Sequence, residues 1–268
     1  MSERRQFGGL RIDDGNAERV RDWLSVEEPL QVDINGKPFT ITMRTPGNDV
    51  FLIKGLLYTE GVVSPEGLDY ELHSREDPRH PGNTIADVRV PPVYVCEQLL
   101  EKRSLLANAS CGICGKRELD DIRLDGDALT PVRKLDAGVL PLMGERMRGG
   151  QESFDQTGGC HAAALFSGSG EFLALFEDVG RHNAVDKAIG FLLDRKSLGD
   201  ADLLFVSGRI SYEIVSKVFR AGIPYLAAVS APSSLAVQMA EQCGISVLGF
   251  CRGKRATVYS NPQNVVQA

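Results

Sequence analysis

The sequence predicts an α+β N-terminal domain followed by an α/β C-terminal domain in which helices pack over a mixed sheet. In the first half, short alternating strands accompany one helix, whereas in the second half compact apolar strands alternate with amphipathic helices. Glycines punctuate the segment between them, where regular periodicity fades. We therefore expect domains at residues 1–103 and 151–268, joined by a loop-rich connector over residues 104–150.

A hairpin and a helix are predicted in the first half. Apolar and polar residues alternate on both sides of Asn35-Gly36, a pair typical of tight turns between strands. Pro38 cannot donate a ladder hydrogen bond, so the second strand is expected at a sheet edge or a strand start. Asn48 is expected to cap the helix, which stops at Gly61.

Strands and helices alternate through the second half, as expected for a sheet with helices packed over it. Strands are predicted at residues 162–166, 172–176, 203–206, 225–229, 246–250 and 256–259. Helices are predicted around residues 185–193, 214–219 and 236–243, where apolar residues recur at helical spacing.

Composition and charge exclude several classes of protein. Apolar residues make up 43% and charged residues 25% of the chain, as in an ordinary globular protein. The net charge of −6 argues against a protein that wraps nucleic acid non-specifically. The chain contains no apolar run of roughly 18 residues, and its start lacks the apolar core of a secretory signal. We therefore expect a cytoplasmic protein without a membrane partner.

Two of the six cysteines are close together in the predicted connector, at Cys111 and Cys114. In a protein that is not exported, cysteines are expected as thiols rather than disulfides. A Cys-x-x-Cys pair can share a metal, form a disulfide or pass a sulfur atom between its members. Lys116 and Arg117 follow the pair, and nearby cations favour the nucleophilic thiolate. We predict covalent sulfur chemistry for an anionic acceptor at this pair, without a bound metal.

Two other functions fit the same pair. A structural zinc knuckle needs four ligands, so it would have to recruit Cys160 and His161, or Cys96, because no second Cys-x-x-Cys exists. A thioredoxin-like redox pair normally follows a strand and opens a helix, whereas Cys111 lies in an irregular segment. Spacing alone does not choose between these alternatives.

Two loops that follow predicted strands carry candidate ligands for an anion. One of these loops joins a strand to a helix and contains Asp178, Arg181 and His182. Loops in this position bind ligands at the open end of an α/β sheet. The alternative is a helix cap beside a solvated arginine. Arg209 also follows a strand and precedes a helix, whose first N–H groups favour a phosphate.

A third candidate is the turn over residues 250–255, which carries three cations. Arginine forks match phosphate oxygens, and Phe250 offers an aromatic face. The alternative is an exposed basic hairpin. Together with Arg181 and Arg209, this turn could bind a dianionic nucleotide or a pyrophosphate.

Five segments together resemble the FdhD family, the formate dehydrogenase accessory sulfurtransferases. They are CGICG at 111–115, TGGCHAAAL at 157–165, EDVGRHNAVDKAIG at 177–190, SGRISYE at 207–213 and FCRGKR at 250–255. Their order agrees with that of the family, and the resemblance extends from Glu28 to Ser260. The first 27 residues match weakly and stay unassigned.

The resemblance implies a sulfur carrier that takes persulfide sulfur from a cysteine desulfurase. It implies transfer to the bis(molybdopterin guanine dinucleotide) molybdenum cofactor before insertion into formate dehydrogenase. Cys111 would carry the persulfide with Cys114 assisting, and the protein would form a homodimer. The resemblance also implies that a GDP-like nucleotide mimics the cofactor. The residues expected to bind the cofactor are Phe250, Cys251, Arg252, Gly253, Lys254, Arg255, Arg181, His182 and Arg209.

The resemblance also implies a cytidine deaminase-like fold for the C-terminal domain. A zinc deaminase needs His-x-Glu and a later Pro-Cys-x-x-Cys around its metal. His161 lacks the glutamate two residues later, and the Cys-x-x-Cys pair precedes it. We therefore expect this fold without deamination. The remaining alternatives are a molybdenum-cofactor chaperone without sulfur transfer and a protein with a structural zinc knuckle.

Overall fold

The computed structural model describes residues 3–80, 82–103, 124 and 126–267. Its strands are β1 (Arg4–Asp13), β2 (Asn16–Ser25), β3 (Glu28–Ile34), β4 (Lys37–Arg44), β5 (Glu71–Glu76), β6 (Thr84–Arg89), β7 (Leu135–Asp136), β8 (His161–Phe166), β9 (Phe172–Asp178), β10 (Leu203–Val206), β11 (Tyr225–Ala228), β12 (Ser246–Arg252), β13 (Arg255–Val258) and β14 (Val265–Val266). Its helices are α1 (Asp49–Thr59), α2 (Glu97–Arg103), α3 (Leu140–Gly149), α4 (Glu152–Thr157), α5 (Arg181–Asp194), α6 (Tyr212–Arg220) and α7 (Ser234–Gln242).

Strands from the first half form a four-stranded sheet in the order β4-β3-β6-β5 within the described residues. β3 and β4 are antiparallel, and the turn between them places Asn35 and Gly36 at φ values of 52° and 76°. Positive φ at both positions suits asparagine and glycine and matches the twist of the flanking strands. β4 lies at a sheet edge, which confirms the position expected from Pro38.

A six-stranded mixed sheet dominates the second half of the described chain, in the order β13-β12-β11-β10-β8-β9. β10, β11 and β12 are parallel, whereas β8, β9 and β13 run antiparallel to their neighbours. Apolar residues of α5, α6 and α7 pack on one face, and residues of α3 pack on the other. The mixed α/β architecture is therefore confirmed. The cytidine deaminase-like assignment stays a prediction.

Helices α1 and α5 join the two halves through a close crossing. A Cβ atom on Gly55 would overlap the Asp186 carbonyl, and one on Gly190 would overlap the Phe51 carbonyl. The two glycines therefore allow the backbones to touch, and a side chain at either position would push the helices apart. We call this contact, with the buried charges beside it, the α1–α5 seam.

Lys217 of α6 is buried at one end of the seam. Its Nζ lies 2.9 Å from both Asp186 carboxylate oxygens and 3.0 Å from Glu60 Oε1. It also donates to Thr59 Oγ1 at 2.9 Å. Burial alone would lower the lysine pKa, but the carboxylates of Asp186 and Glu60 raise it, so Lys217 is charged. One ion cluster thus links α1, α5 and α6.

Lys187 is buried at the other end of the seam. Its Nζ lies 2.7 Å from Asp178 Oδ2 and donates to the Thr45 carbonyl at 2.9 Å. Asn183 donates to the Met43 carbonyl at 2.8 Å and to Asp178 Oδ1 at 3.2 Å. These bonds connect the end of β4 to β9 and α5. The four-stranded and six-stranded sheets are therefore held together by charged groups as well as by apolar packing.

The structure contains elements that the sequence did not predict, among them α3 and the hairpin β1–β2. In the described part of the predicted connector, α3 forms a helix whose Met143 and Met147 are buried against the six-stranded sheet. The N-terminal hairpin β1–β2 was not predicted, although Asp14-Gly15 adopts positive φ at its turn and is a recognisable signal. The predicted domain boundaries remain a prediction.

Among the described residues, no helix combines the length and the apolar character needed to cross a bilayer.

Candidate functional site

The carboxyl ends of β10, β11 and β12 meet at one edge of the six-stranded sheet. The loops that follow them contact each other in order, since Ile210 N donates to Ala231 O at 3.1 Å and Phe250 N donates to Ser230 O at 3.0 Å. Ligands of open α/β sheets bind at this kind of edge. We call it the carboxyl edge, and it collects most of the predicted cofactor-binding residues.

Several of those residues place positive charge at the carboxyl edge. Arg209 follows β10 and is exposed, while Lys254 and Arg255 belong to the exposed turn between β12 and β13. Within the described chain, no carboxylate is in ion-pair contact with these three side chains. Arg252 Nε donates to the Val229 carbonyl at 3.0 Å, which fixes that side chain across the neighbouring loop. The edge therefore offers cations to an anionic ligand.

Phe250 and Cys251 contribute to the edge in different ways. Phe250 adopts a φ of 54°, a strained value for an aromatic residue, and its ring centroid is 6.5 Å from that of Tyr259. Cys251 is buried, its thiol lies 3.5 Å from the Leu248 carbonyl, and burial raises its pKa to about 11. The thiol of Cys251 therefore packs in the core, and its predicted contact with the nucleotide is restricted to its backbone.

A cavity of about 490 Å³ lies beside the β12–β13 turn. Gly253, Lys254 and Arg255 form its charged side, and the start of α3 at Leu140 and Pro141 forms part of its apolar wall. The sequence did not predict this wall, because α3 falls in the segment that was expected to be a loop. The cavity can accept a group with an apolar body and an anionic end.

Arg181 and His182 begin α5 on the opposite face of the same sheet. Arg181 Nε donates to His182 Nε2 at 3.4 Å, and Glu213 Oε2 lies 3.8 Å from that nitrogen. Burial lowers the pKa of His182 to about 4, and the charges of Lys217 and Arg181 act in the same direction. His182 is therefore neutral near pH 7 and accepts a hydrogen bond from Arg181.

His161 lies on the other side of Arg181. A Cβ atom on Gly208 would be 3.3 Å from His161 Nδ1 and 3.8 Å from Arg181 Cβ, so these three residues are close together. Burial, and then the Arg181 charge, lower the pKa of His161. Sequence reasoning considered His161 only as a zinc ligand, and Glu213 only as part of a motif. The Arg181 charge thus acts on both imidazoles near the end of β10.

The predicted cofactor-binding residues therefore form two groups on one edge. Arg181, His182 and Arg209 lie at the β8–β10 end, beside His161, and the turn over residues 250–255 lies at the β12 end. Neighbouring strands are about 4.8 Å apart, so β8 and β12 are separated by about 14 Å. A ligand that touches both groups must be as long as a nucleotide with its phosphates, or longer.

The described cysteines differ in their exposure to solvent. Cys111 and Cys114 lie outside the described residues. Of the described cysteines, Cys96 is exposed, whereas Cys160, Cys243 and Cys251 are buried, and burial raises the pKa of each of these three. The buried thiols are therefore weak nucleophiles near pH 7.

Cys160, which a zinc site was expected to recruit, has another contact. Its Sγ lies 3.1 Å from Ser25 Oγ, which in turn is 2.7 Å from Thr157 Oγ1. The described residues contain no group of three or more His, Cys, Asp or Glu side chains placed to hold a metal ion. The zinc alternative involves Cys111 and Cys114 and stays untested.

The chain is similar to known proteins over almost its whole length. Residues 25–266 match the FdhD/NarQ family. Proteins named sulfur carrier protein FdhD are 43% identical in Streptomyces avermitilis, covering 99% of this chain and 96% of that one, and 41% identical in Sulfolobus acidocaldarius, covering 95% and 96%. The solved structure of a formate dehydrogenase accessory protein from Desulfotalea psychrophila shares the fold, with a TM-score of 0.76, 19% identity and coverage of 99% and 100%. The chain belongs to the FdhD/NarQ family.

Proposed function

We propose that this protein is a sulfur carrier that serves the maturation of formate dehydrogenase. It takes persulfide sulfur from a cysteine desulfurase and passes it to the bis(molybdopterin guanine dinucleotide) molybdenum cofactor. The observation that carries this proposal is the 43% identity, over 99% of the chain, to a protein named sulfur carrier protein FdhD. The proposal includes a homodimer in the cytoplasm.

The sulfur step is a thiol–persulfide exchange at Cys111. The Cys111 thiolate attacks the outer sulfur of the donor persulfide, the donor S–S bond breaks, and the donor leaves as a thiolate. Cys111 then holds the sulfur as its own persulfide. For release as sulfide to the cofactor, the Cys114 thiolate would attack Cys111 Sγ, the persulfide S–S bond would break, and formation of the Cys111–Cys114 disulfide would supply the two electrons. Loading needs no oxidant, because one S–S bond replaces another.

The state of the other thiols supports this assignment. Cys160, Cys243 and Cys251 are buried with raised pKa values, so they are poorly suited to attack a donor persulfide on a second protein. Cys96 is the exposed thiol among the described cysteines and is therefore the competitor to test.

The carboxyl edge supports the cofactor half of the proposal. The cofactor carries pyrophosphates, and Arg209, Lys254 and Arg255 are exposed cations without a described carboxylate beside them. Phe250 supplies an aromatic surface, and the nearby cavity of about 490 Å³ has a mixed apolar and charged lining. These residues fit a guanine dinucleotide as cargo, with the phosphates on the cations.

Sulfur loading tests the first half of the proposal. The protein is incubated with a cysteine desulfurase and cysteine, and its intact mass is then measured. The parent and the Cys96→Ala variant should each gain one sulfur atom, whereas Cys111→Ala should gain none. Equal loading of Cys111→Ala and the parent would exclude Cys111 as the carrier.

Nucleotide binding tests the second half. Guanosine diphosphate is titrated into the parent and into the double variant Arg252→Ala and Arg255→Ala by calorimetry. The double variant should bind at least about tenfold more weakly, because each lost charge-assisted hydrogen bond contributes about 1.5–3 kcal/mol. A matched control is Arg75→Ala with Arg89→Ala, two exposed arginines of the four-stranded sheet, which should leave the affinity unchanged.

A chaperone that only holds the cofactor is the second candidate function, and the nucleotide-binding features of the carboxyl edge favour it equally. Complementation separates the two, because a chaperone tolerates Cys111→Ser and a sulfur carrier does not. A knuckle of structural zinc predicts a third outcome, in which stoichiometric zinc in the purified protein is lost with Cys114→Ala.

A further inference from the structure

A cavity of about 550 Å³ lies at the end of α6 that is remote from the carboxyl edge, and we call it the α6 cavity. α6 begins at Tyr212 beside that edge and ends at Arg220, about 12 Å further along the helix axis. The described walls of the cavity lie within residues 58–65 and 93–96 of the first half and at residues 219–220 of α6. They include none of the residues expected to bind the cofactor, so this cavity is separate from the candidate site.

The wall of the α6 cavity is largely apolar and aromatic. Tyr94 and Phe219 contribute rings, and Val93, which also lines the cavity, is 83% exposed. A volume of about 550 Å³ is within the range of sites that bind small molecules, which is roughly 300–1,000 Å³. The cavity can therefore receive the apolar body of a small ligand.

Arg220 supplies the positive charge of the α6 cavity. A Cβ atom on Gly61 would lie 2.6 Å from Nη1, 2.8 Å from Cζ and 3.0 Å from Nη2 of Arg220, so the guanidinium group rests against this glycine. Burial raises the pKa of Tyr58, and the nearby Arg220 charge opposes that rise. Within the described chain, no carboxylate forms an ion pair with Arg220. Its guanidinium group is therefore held in place with N–H donors available for an anion.

The Ser64 hydroxyl group also lines the α6 cavity. Its oxygen is buried and forms no hydrogen bond of ordinary geometry with another described residue. Its polar neighbour is the exposed Glu66, whose carboxyl pKa is lowered first by its own backbone N–H and then by this hydroxyl. Because a hydroxyl group rotates about its C–O bond, it can turn from that solvated carboxylate to a ligand in the cavity. A ligand that accepts this hydrogen bond relieves the unfavourable burial of the oxygen.

Cys96 brings a thiol group into the same cavity. It is the exposed cysteine among those described, whereas the other three described cysteines are buried. Its backbone N–H donates to the Val62 carbonyl at 2.9 Å, which places it next to the segment on which Arg220 rests. An accessible thiol, a cation and a hydroxyl group thus line one apolar cavity.

We propose that the α6 cavity is a thiol-exchange site, at which Cys96 forms a mixed disulfide with a low-molecular-weight disulfide that carries a carboxylate. The Cys96 thiolate attacks one sulfur of the small disulfide, the S–S bond of that molecule breaks, and its other half leaves as a thiolate. No oxidant is consumed, because one S–S bond replaces another. A free thiol reverses the reaction, so occupancy of the site follows the thiol–disulfide balance around the protein. The site goes beyond the proposed function and does not depend on Cys111.

Each group of the cavity has a part in recognition of the small molecule. Its carboxylate pairs with Arg220 and accepts a hydrogen bond from Ser64. Its carbon chain or ring packs on Tyr94 and Phe219. The cation therefore selects anionic disulfides over neutral or cationic ones.

The rates of reaction with two aromatic disulfides test the site, because the reagents are similar in shape and differ in charge. Dithiobis(nitrobenzoate) carries carboxylates, dipyridyl disulfide is neutral, and both release a coloured product. The full chain carries Cys111→Ser and Cys114→Ser, so that Cys96 is the exposed cysteine that remains. Peptide mass spectrometry locates the label, which should be on Cys96. A label on a buried cysteine with Cys96 unmodified overturns the proposal.

Removal of the cation tests the selection of anions. Arg220→Gln should slow the reaction with the anionic reagent at least about tenfold, since the lost contact is a charge-assisted hydrogen bond. The rate with the neutral reagent should stay unchanged. The matched control, Arg75→Gln on β5, removes another exposed arginine and should leave both rates unchanged. Equal slowing of both reagents by Arg220→Gln, or no slowing of either, contradicts an anion site at Arg220.

A milder variant, Ser64→Ala, covers the case in which Arg220→Gln alters the fold. Loss of one neutral hydrogen bond should slow the anionic reagent by about twofold to tenfold, whereas an unchanged rate would contradict the proposed contact. At equilibrium, oxidised glutathione, which carries carboxylates, should add one glutathione to Cys96, detected by intact mass. The cationic disulfide cystamine should add much less. Equal modification by the two compounds overturns the proposal.

Discussion

The α1–α5 seam and the carboxyl edge differ in the burial and pairing of their charged side chains. In the seam, Lys187 and Lys217 are buried and each is within 3 Å of a carboxylate oxygen. At the edge, Arg209, Lys254 and Arg255 are exposed and no described carboxylate pairs with them. A paired buried charge holds a fold together, whereas an unpaired exposed charge is available to a ligand.

One sequence motif supplies both regions. In residues 177–190, Asp178, Asp186 and Lys187 belong to the seam, while Arg181 and His182 belong to the edge. The division follows position along the chain, since Arg181 and His182 lie in the first turn of α5 at the edge, whereas Asp186 and Lys187 lie more than a turn further along the helix. The motif resembles a single binding site, but some of its residues therefore stabilise the fold instead of contacting a ligand.

The largest expected loss of stability comes from removing a buried charge in the seam. Replacement of Lys217 by Met leaves Asp186 buried without its cation and should cost about 3–5 kcal/mol in the free energy of unfolding. The matched control is Lys254→Met at the edge, which should change stability by less than about 0.5 kcal/mol. Urea unfolding followed by circular dichroism measures both. Similar losses in the free energy of unfolding for the two variants would contradict the distinction between seam and edge.

The next effect tests the backbone contact in the seam. Gly190→Ala places a methyl group against the Phe51 carbonyl and should destabilise the protein by about 2–3 kcal/mol. Gly149→Ala at the end of α3 is the control, because a Cβ atom there meets nothing within 4 Å. It should be neutral or slightly stabilising. If thermal unfolding gives equal midpoints for the two variants, the helices do not cross as closely as described.

The smallest effect concerns the pH dependence of stability. Burial lowers the pKa of His182 to about 4, below the unfolded value near 6.5, so the unfolded state binds the proton more strongly. Its contribution is present above pH 6.5 and is lost as the pH falls toward 4. Between pH 7 and pH 5 the parent should lose about 1–2 kcal/mol more than His182→Gln.

The control for this measurement is His73→Gln, which removes an exposed imidazole of β5. Denaturant unfolding at a series of pH values gives the comparison. Parallel curves for the parent and His182→Gln would mean that His182 titrates near its ordinary value and is not the neutral acceptor for Arg181.

Local patterns predicted much of the fold. The strand over 203–206 was predicted with the bounds that the structure has, because four consecutive apolar residues between polar ones suit only a buried strand here. α3 was missed, since Leu140, Met143 and Met147 are diluted by glycines and exposed residues. The hairpin β1–β2 was missed because its strands are exposed on both faces and lack the alternation of a half-buried strand.

The candidate site was predictable in location but not in detail. Strand-to-helix loops placed Arg181 and Arg209 on one edge, and the turn that follows β12 lies at the same edge. The burial of the Cys251 thiol and the position of His161 beside Arg181 depend on tertiary packing. Cys111 and Cys114 lie outside the described residues, so their assignment is still a prediction.

The ion cluster around Lys217 also affects how the protein unfolds. Glu60 follows α1 in the first half, whereas Asp186 and Lys217 belong to α5 and α6 of the second half, so separation of the halves would remove one of the two carboxylates from a buried ammonium group. Melting should therefore be cooperative across both sheets, with a calorimetric enthalpy equal to the van't Hoff value. Fragments cut between the halves should not persist as folded pieces.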